Sequence, residues 1–234
     1  MSQITTITFF KYKTFLSKVW AFGMMQFAHS NLSKVPNLLF YKLMGSGKGR
    51  GFNPWPDWSI YTLLQVWESA EDADHFFEHS SLVKQYHQKT VEMCTLYMRS
   101  ITAHGKWDGA NPFISSDSLD SENALVAVIT RATIKLSMLR TFWKYVPISE
   151  RSLEGNDGLI YTKGIGEVPA VQMATFSIWK DWESVKKFAY KSKEHQGAIE
   201  RTRKLKWYKE ELFSRFQPYK SRGTWEGKDL LARS

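Results

Sequence analysis

The stretch Phe15-Leu16-Ser17-Lys18-Val19-Trp20-Ala21-Phe22 returns with similar side chains roughly 120 residues later, as Met138-Leu139-Arg140-Thr141-Phe142-Trp143-Lys144-Tyr145. Each copy follows a segment in which apolar and polar residues alternate, Ile7–Tyr12 before the first and Ile129–Lys135 before the second. Such alternation is typical of a half-buried strand. The two stretches therefore predict a strand–helix unit that the chain uses twice.

Further matches follow in the same order along both halves. A Phe lies nine residues after Trp67 in the first copy and nine residues after Trp179 in the second, as Phe76 and Phe188. Because the order is preserved, we interpret the whole chain as a duplication. The matches are Gly45-Ser46-Gly47 with Gly164-Ile165-Gly166, Val66-Trp67 with Ile178-Trp179, and Gly105-Lys106-Trp107-Asp108-Gly109 with Gly223-Thr224-Trp225-Glu226-Gly227.

Each copy is predicted to run strand, helix, strand, strand, helix, strand. This is the ferredoxin-like βαββαβ order, and two such repeats in one chain can form a single α+β barrel. The predicted domains are residues 1–110, a Ser- and Asp-rich linker 111–122, and residues 123–234, which include the predicted helix 182–206. A glycine-rich insertion, Gly45–Trp58, is expected before the third strand. The predicted strands are 4–11, 38–44, 59–67, 94–103, 124–133, 158–163, 171–179 and 211–218, and the predicted helices are 15–28, 71–90, 136–144 and 182–206.

Composition narrows the functional classes. The single cysteine, Cys94, excludes an intrachain disulfide and a cysteine metal cluster. The net charge of +9 is concentrated between Glu183 and Arg222, with 12 Lys and Arg against 5 Asp and Glu. No RNA-binding or zinc-finger spacing accompanies these charges, so nucleic acid is not an expected partner. No secretory signal is visible, and a cytoplasmic location is expected.

One histidine stands out in the second copy. His195 shares a predicted helical face with Ala198, Ile199 and Thr202, while the opposite face is charged. A histidine pointing into an apolar interior suits an iron ligand. It also suits a core histidine bonded to a carbonyl, which the residues alone favour, and both interpretations stay open. An aromatic content of 15% would suit a large flat ligand such as haem as well as ordinary packing.

Several longer segments carry a resemblance to a known family: Val19–Met25, Phe40–Gly47 with Gly51-Phe52, Thr130–Ile134, Lys163–Pro169, Thr175–Trp179, and His195 with Trp207–Phe216. Through these segments the chain resembles the spheroidene monooxygenase family. The resemblance implies a haem protein that uses dioxygen and reduced ferredoxin to place a keto group on an acyclic carotenoid.

The resemblance also implies site residues. His195 matches the place of the proximal iron ligand in haem enzymes of this barrel type, and Ile199, Phe176, Trp179 and Arg203 are expected around a haem b. The absence of Cys-x-x-Cys-His argues against covalent haem.

Two further roles are expected on the same ground. The candidates for a hydrogen-bond donor that steers bound oxygen are Arg131, Lys163 and Lys42, with a surface or propionate-pairing role as the alternative. The basic surface around Arg201, Arg203, Lys204 and Lys206 is expected to meet an acidic ferredoxin or, alternatively, a membrane. A homo-oligomer stays open.

The function predicted from the sequence is a haem-dependent monooxygenase that acts on a carotenoid-like, long apolar substrate. Two rivals stay open: a haem lyase of the aldoxime-dehydratase type, and a non-catalytic haem carrier or sensor.

Overall fold

A computed structural model describes residues 2–49, 53, 55–144, 156–191 and 205–232. The elements alternate in the predicted order, and five of the eight described strands are longer than predicted. The first half-barrel contains β1 Ile4–Lys11, α1 Phe15–Phe27, α2 His29–Leu32, β2 Leu38–Gly47, β3 Pro56–Trp67, α3 Ala70–His79, α4 Ser81–Lys89 and β4 Glu92–Gly105. The second contains β5 Val126–Ile134, a 3-10 turn Leu136–Met138, helical residues 139–144, β6 Leu159–Val168, β7 Gln172–Trp179, α5 Trp182–Lys191 and β8 Tyr208–Gly223.

The described strands form one closed antiparallel barrel in the order β1-β3-β2-β6-β7-β5-β8-β4. Each half-barrel contributes the same arrangement, β4-β1-β3-β2 and β8-β5-β7-β6, which is the ferredoxin-like order. The predicted fold class, two ferredoxin-like repeats in one α+β barrel, is confirmed. The domain limits 1–110, 111–122 and 123–234 remain predictions.

Two seams of unequal length join the half-barrels. β4 and β8 pair from Cys94↔Gly223 to Gly105↔Leu212. By contrast, β2 and β6 pair only through Gly45↔Gly166 and Ser46↔Ile165. The barrel is thus weakest in backbone hydrogen bonds at the β2–β6 seam, where side chains must contribute to closure.

The pairing of the strands shows which residues of the two sequence copies are equivalent. Lys42 pairs with Leu64, three residues before Trp67, and Lys163 pairs with Phe176, three residues before Trp179. Lys42 and Lys163 are therefore equivalent, and Gly45 corresponds to Gly166. The predicted match of Gly45 with Gly164 is wrong by two residues. Because glycines recur at alternate positions of β6, a match made on glycine alone could not distinguish the two registers.

Three predicted boundaries also change. The predicted helix 71–90 is broken at Ser80, whose extended backbone lets its hydroxyl accept a hydrogen bond from the Leu82 amide. The predicted helix 182–206 has its end one residue earlier, since Leu205 is helical whereas Lys206 has a φ of 45°, and residues 192–204 lie outside the described residues. The predicted insertion Gly45–Trp58 shrinks to a 48–55 connection, because β2 extends to Gly47 to form the short seam and β3 begins at Pro56.

The interior of the barrel is a packed apolar core to which every described strand contributes. Its ends hold the duplicated tryptophans, Trp107 and Trp225, both almost fully buried. On the outside of each half-barrel the other repeated aromatic pair is in contact, with ring centroids 5.2 Å apart for Trp67 with Phe76 and for Trp179 with Phe188. No helix in the described ranges is long and apolar enough to cross a membrane.

Candidate functional site

A network of charges lies at the Trp107 end of the barrel. We call it the barrel-end cluster: Lys42, Asp108, Arg131, Glu167 and Glu210. Lys42 donates to Asp108, and its Nζ lies 2.6 Å from Glu167 Oε2. Arg131 donates to Glu210, and its Nη2 lies 3.7 Å from Asp108 and 3.8 Å from Glu167. The cluster joins β2, β5, β6, β8 and the turn after β4 across the weaker seam.

Arg131 lies inside the barrel at a position where the first copy has an aromatic residue. Register places Arg131 where the first copy has Phe9. Phe9 packs on Trp225 with ring centroids 5.5 Å apart, and the Arg131 guanidinium lies 5.4 Å from the centre of the Trp107 ring. The second copy thus replaces an aromatic contact with a cation over an aromatic ring. Arg131 is 2% exposed, so the alternative of a surface role is removed.

Glu210 and Lys42 of the cluster are held in their charged forms by their partners. Burial alone raises the pKa of Glu210, but the Gly109 and Asp108 amides and Arg131 donate to it and lower its pKa below the usual value. Burial alone lowers the pKa of Lys42, whereas its bonds to Asp108 and Glu167 raise it above the ordinary value. The cluster thus pairs two basic side chains with three acidic ones, an arrangement suited to structural ion pairing.

The structure separates the third predicted donor from the other two. Lys163 Nζ lies 3.2 Å from Asp57 Oδ2 and donates to the Gly49 carbonyl at 3.3 Å. Arg131 and Lys42 share Asp108 and Glu167, while Lys163, the repeat equivalent of Lys42, is paired elsewhere. The sequence grouped three cations that the fold distributes over two sites.

A cavity of about 610 Å³ opens between α1 and β2, beside the barrel-end cluster. Lys42 and Glu167 belong to its wall, so the cluster is accessible from this side. At its rim the His29 Nδ1 and Tyr41 hydroxyl lie 3.1 Å apart. The rest of the lining is mostly apolar, with Phe22, Gly23, Met25, Gln26, Phe27 and Leu43.

A second candidate surface is the outer face of the second half-barrel. Its central row crosses the sheet as Gly164, Thr175, Thr130 and Phe213. Thr130 and Phe213 are exposed and Thr175 is half-buried, whereas the equivalent residues of the first copy are all buried: Leu43, Leu63, Thr8 and Thr95. Two apolar clusters flank this row, one with Trp179 and Val185 and one with Phe142 and Trp207. In the described part of the chain, this face is flat and open where its counterpart is packed.

The predicted cofactor residues fall on both sides of that sheet. Phe176 is fully buried in the barrel interior, whereas Trp179 lies on the outer face against α5. His195, Ile199 and Arg203 lie outside the described residues. Strand alternation explains the division, because positions three apart point to opposite faces. Arg131 and Lys163 share the inner side with Phe176.

Sequence reasoning missed residues on the open face. Arg215 points outward from β8 with its guanidinium 4.2 Å from the centre of the Trp182 ring. Thr130 and Ser177 also face this side, beside the partly buried Arg215. The alternation of apolar and polar residues along β5, β7 and β8 indicates these positions, because it determines which side chains point outward.

The described ranges give little support to a metal-binding cluster or to a cysteine thiolate ligand. They contain no group of three or more His, Cys, Asp or Glu side chains that could hold a metal ion. Burial, with smaller contributions from Asp229 and Glu92, raises the pKa of Cys94 to about 12. Cys94 is therefore a protonated core thiol, unsuited to act as a thiolate ligand.

Comparison with known proteins identifies near full-length relatives. The chain is 35% identical over 233 residues to a spheroidene monooxygenase of Cereibacter sphaeroides, covering 99% of this chain and 72% of the relative. It is 32% identical over 230 residues to a spheroidene monooxygenase of Rhodobacter capsulatus, covering 98% and 95%. No family model matches the chain.

Among solved structures, a crystal structure of aldoxime dehydratase matches with a TM-score of 0.60, covering 92% of this chain and 81% of that one. At 8% identity this likeness concerns the fold alone.

Proposed function

The chain belongs to the spheroidene monooxygenase family, and on that premise we propose that it oxygenates an acyclic carotenoid or a similar long apolar molecule, using haem b, dioxygen and reduced ferredoxin. Membership makes the protein an oxidoreductase of the monooxygenase class. The observation that carries the proposal is identity of 35% and 32% over almost the whole chain. Substrate, haem and electron donor are parts of the proposal.

The open outer face of the second half-barrel fits a large planar group. Small side chains along Gly164, Thr175 and Thr130 leave room for a flat ligand, and the exposed ring of Phe213 offers an apolar edge. A haem has apolar faces and two carboxylates, which a guanidinium such as that of Arg215 can pair. Bound haem would supply a redox-active iron for dioxygen chemistry. His195 is proposed as its ligand.

With haem on this outer face, the three predicted oxygen-steering cations take a different role. The hydroxyls of Thr130, Thr175 and Ser177 face the open side and are available to donate hydrogen bonds there. Arg131, Lys42 and Lys163 are bound to carboxylates on the inner side of the strands. We therefore assign the three cations to holding the strands in register, and the outward hydroxyls to steering a bound ligand.

Haem titration tests the cofactor and its place. We expect the wild-type protein to bind added haemin with a Soret band that is lost or shifted in His195→Ala. Thr130→Trp should weaken binding at least tenfold, because an indole would fill the flat row while its own site is exposed enough to tolerate it. His104→Ala, at an exposed histidine of the first half-barrel, is the control. An unchanged Soret band in His195→Ala, together with unchanged haemin binding by Thr130→Trp, would reject this site.

Turnover tests the reaction. Haem-loaded protein with reductant and oxygen should convert an acyclic carotenoid to a keto product, and reduction by ferredoxin should slow as salt screens contacts over about 10 Å at 0.1 M. Small aldoximes offered without oxygen should give no nitrile. A nitrile would instead support the lyase, and haem binding without either product would support a carrier.

A further inference from the structure

Helix α1 carries an apolar face that no other element in the described ranges covers. At 100° per residue its exposed apolar side chains fall within roughly 140° of the helix circumference, opposite the residues that pack on the sheet. Single exposed apolar residues are ordinary on protein surfaces, but a continuous row marks a contact surface. The row consists of Phe15, Leu16, Val19, Phe22 and Phe27, which are 53–79% exposed.

Two tryptophans extend this row at the start of β3. Trp58 is 52% exposed and packs edge-on against Phe22, with ring centroids 5.5 Å apart. Trp55 is 71% exposed, and its carbonyl accepts from the amide of the exposed Lys48. Tryptophan is enriched at the headgroup level of membranes, where its ring contacts both apolar and polar surroundings.

The chain segment that carries this row is basic. The first 56 residues contain six lysines and one arginine but no aspartate or glutamate. Lys13, two residues before Phe15, and Lys48, whose amide donates to Trp55, are exposed, and Lys18 of α1 is partly exposed. The first acidic residue, Asp57, is paired with Lys163 of the barrel interior. A second copy of this chain would bring like charges together, whereas an anionic surface complements them.

We propose that this face docks the protein on a bilayer that contains anionic lipids. The apolar row of α1 with Trp55 and Trp58 enters the boundary between headgroups and acyl chains, and the lysines contact the headgroups. Thirteen residues make a helix of about 20 Å, which lies along the surface because about 30 Å is needed to span the bilayer. This surface is distinct from the basic segment Arg201–Lys206.

Docking would also place a cavity against the lipid. Phe22, Gly23 and Phe27 belong both to α1 and to the lining of the 610 Å³ cavity that reaches Lys42 and Glu167. An apolar molecule dissolved in the bilayer could enter there without crossing water. The docking claim itself goes beyond the proposed function, and its test needs neither haem nor turnover.

Vesicle flotation tests the proposal with the full chain. We expect wild-type protein to float with vesicles of phosphatidylcholine and phosphatidylglycerol, far less with phosphatidylcholine alone, and less again at high salt. Phe22→Glu should reduce binding at least about tenfold, because it places a negative charge in the apolar row. Ile114→Glu is the matched control, since Ile114 is 65% exposed in the linker and should leave binding unchanged.

A fluorescent probe gives a readout that does not depend on the charged variant folding. Val19→Cys labelled with an environment-sensitive dye should shift to the blue with anionic vesicles, while labelled Ile114→Cys should not. Cys94 is fully buried and escapes labelling. The proposal is overturned if Val19→Cys shows no shift, if folded Phe22→Glu floats like wild type, or if Phe22→Glu turns a wild-type dimer into a monomer.

Discussion

At the scale of single residues, the barrel-end cluster shows how one substitution between the copies changes chemistry. Arg131 occupies the place of Phe9, and its charge is matched by Glu210, Glu167 and Asp108. A buried guanidinium without these carboxylates would carry a large desolvation cost, so the acidic side chains of the cluster compensate the burial of Arg131.

The pH dependence of stability should report Glu210. Its pKa is lowered in the folded protein, so its contribution is full above the unfolded value of about 4.3 and is lost as pH falls through the folded value. Glu210→Gln should cost about 1–2 kcal/mol at neutral pH, since Glu210 is partly open to solvent. That cost should shrink as pH falls below about 4.

Urea unfolding at several pH values measures this. Glu211→Gln, at the next and outward-facing exposed position, serves as the control and should behave like wild type throughout. A Glu210→Gln cost that stays constant down to low pH would contradict the ion-pair interpretation.

At the scale of elements, the duplicated Gly-x-Trp-Asp/Glu-Gly turns are built on strained backbone. Gly105 and Gly223 have φ values of +98° and +83°, and a Cβ on either would lie 2.1 Å from a carbonyl oxygen of the neighbouring strand. At Gly109 φ is +86° with open space around a Cβ. The first glycine of each motif is therefore required for close strand approach as well as for its backbone angle.

This difference predicts unequal effects of alanine. Gly105→Ala should lower the free energy of unfolding by about 3 kcal/mol or more, because strain and a clash with the Glu211 carbonyl add. Gly109→Ala should cost only about 1 kcal/mol, from the left-handed backbone alone. Thermal unfolding of the two variants compares them directly, and equal losses would show that the predicted clash relaxes without cost.

The sequence was most informative about the order and limits of the strands and helices. Alternation and the repeated aromatics predicted β1 at its observed limits and the order of strands and helices. The break at Ser80 was missed although two adjacent serines signal a cap, because the apolar spacing continues through it. Which face Phe176, Trp179 and Thr130 occupy depends on strand phase within a closed barrel, and that phase is set by long-range pairing.

At the scale of the whole molecule, the two copies share one core. Buried residues from all the described strands meet inside the barrel, among them Phe9, Leu64, Ile129 and Phe176. Each half-barrel also buries its outer face, but the first does so far more completely than the second. Local patterns could not reveal this asymmetry, since it arises from what each sheet packs against.

The shared core predicts a single cooperative unfolding transition for the full chain. Separating residues 1–110 from residues 123–234 would expose the inner face of both sheets, an apolar area too large to leave in water. We therefore expect neither fragment to unfold cooperatively alone, and the mixed fragments to regain structure together. Circular dichroism and tryptophan fluorescence during urea titration should give coincident curves for the intact chain. A separate cooperative transition of fragment 1–110, whose outer face is already covered by α1, α3 and α4, would mean that the first half-barrel is stabilised from outside and that the barrel interior contributes less than its burial suggests.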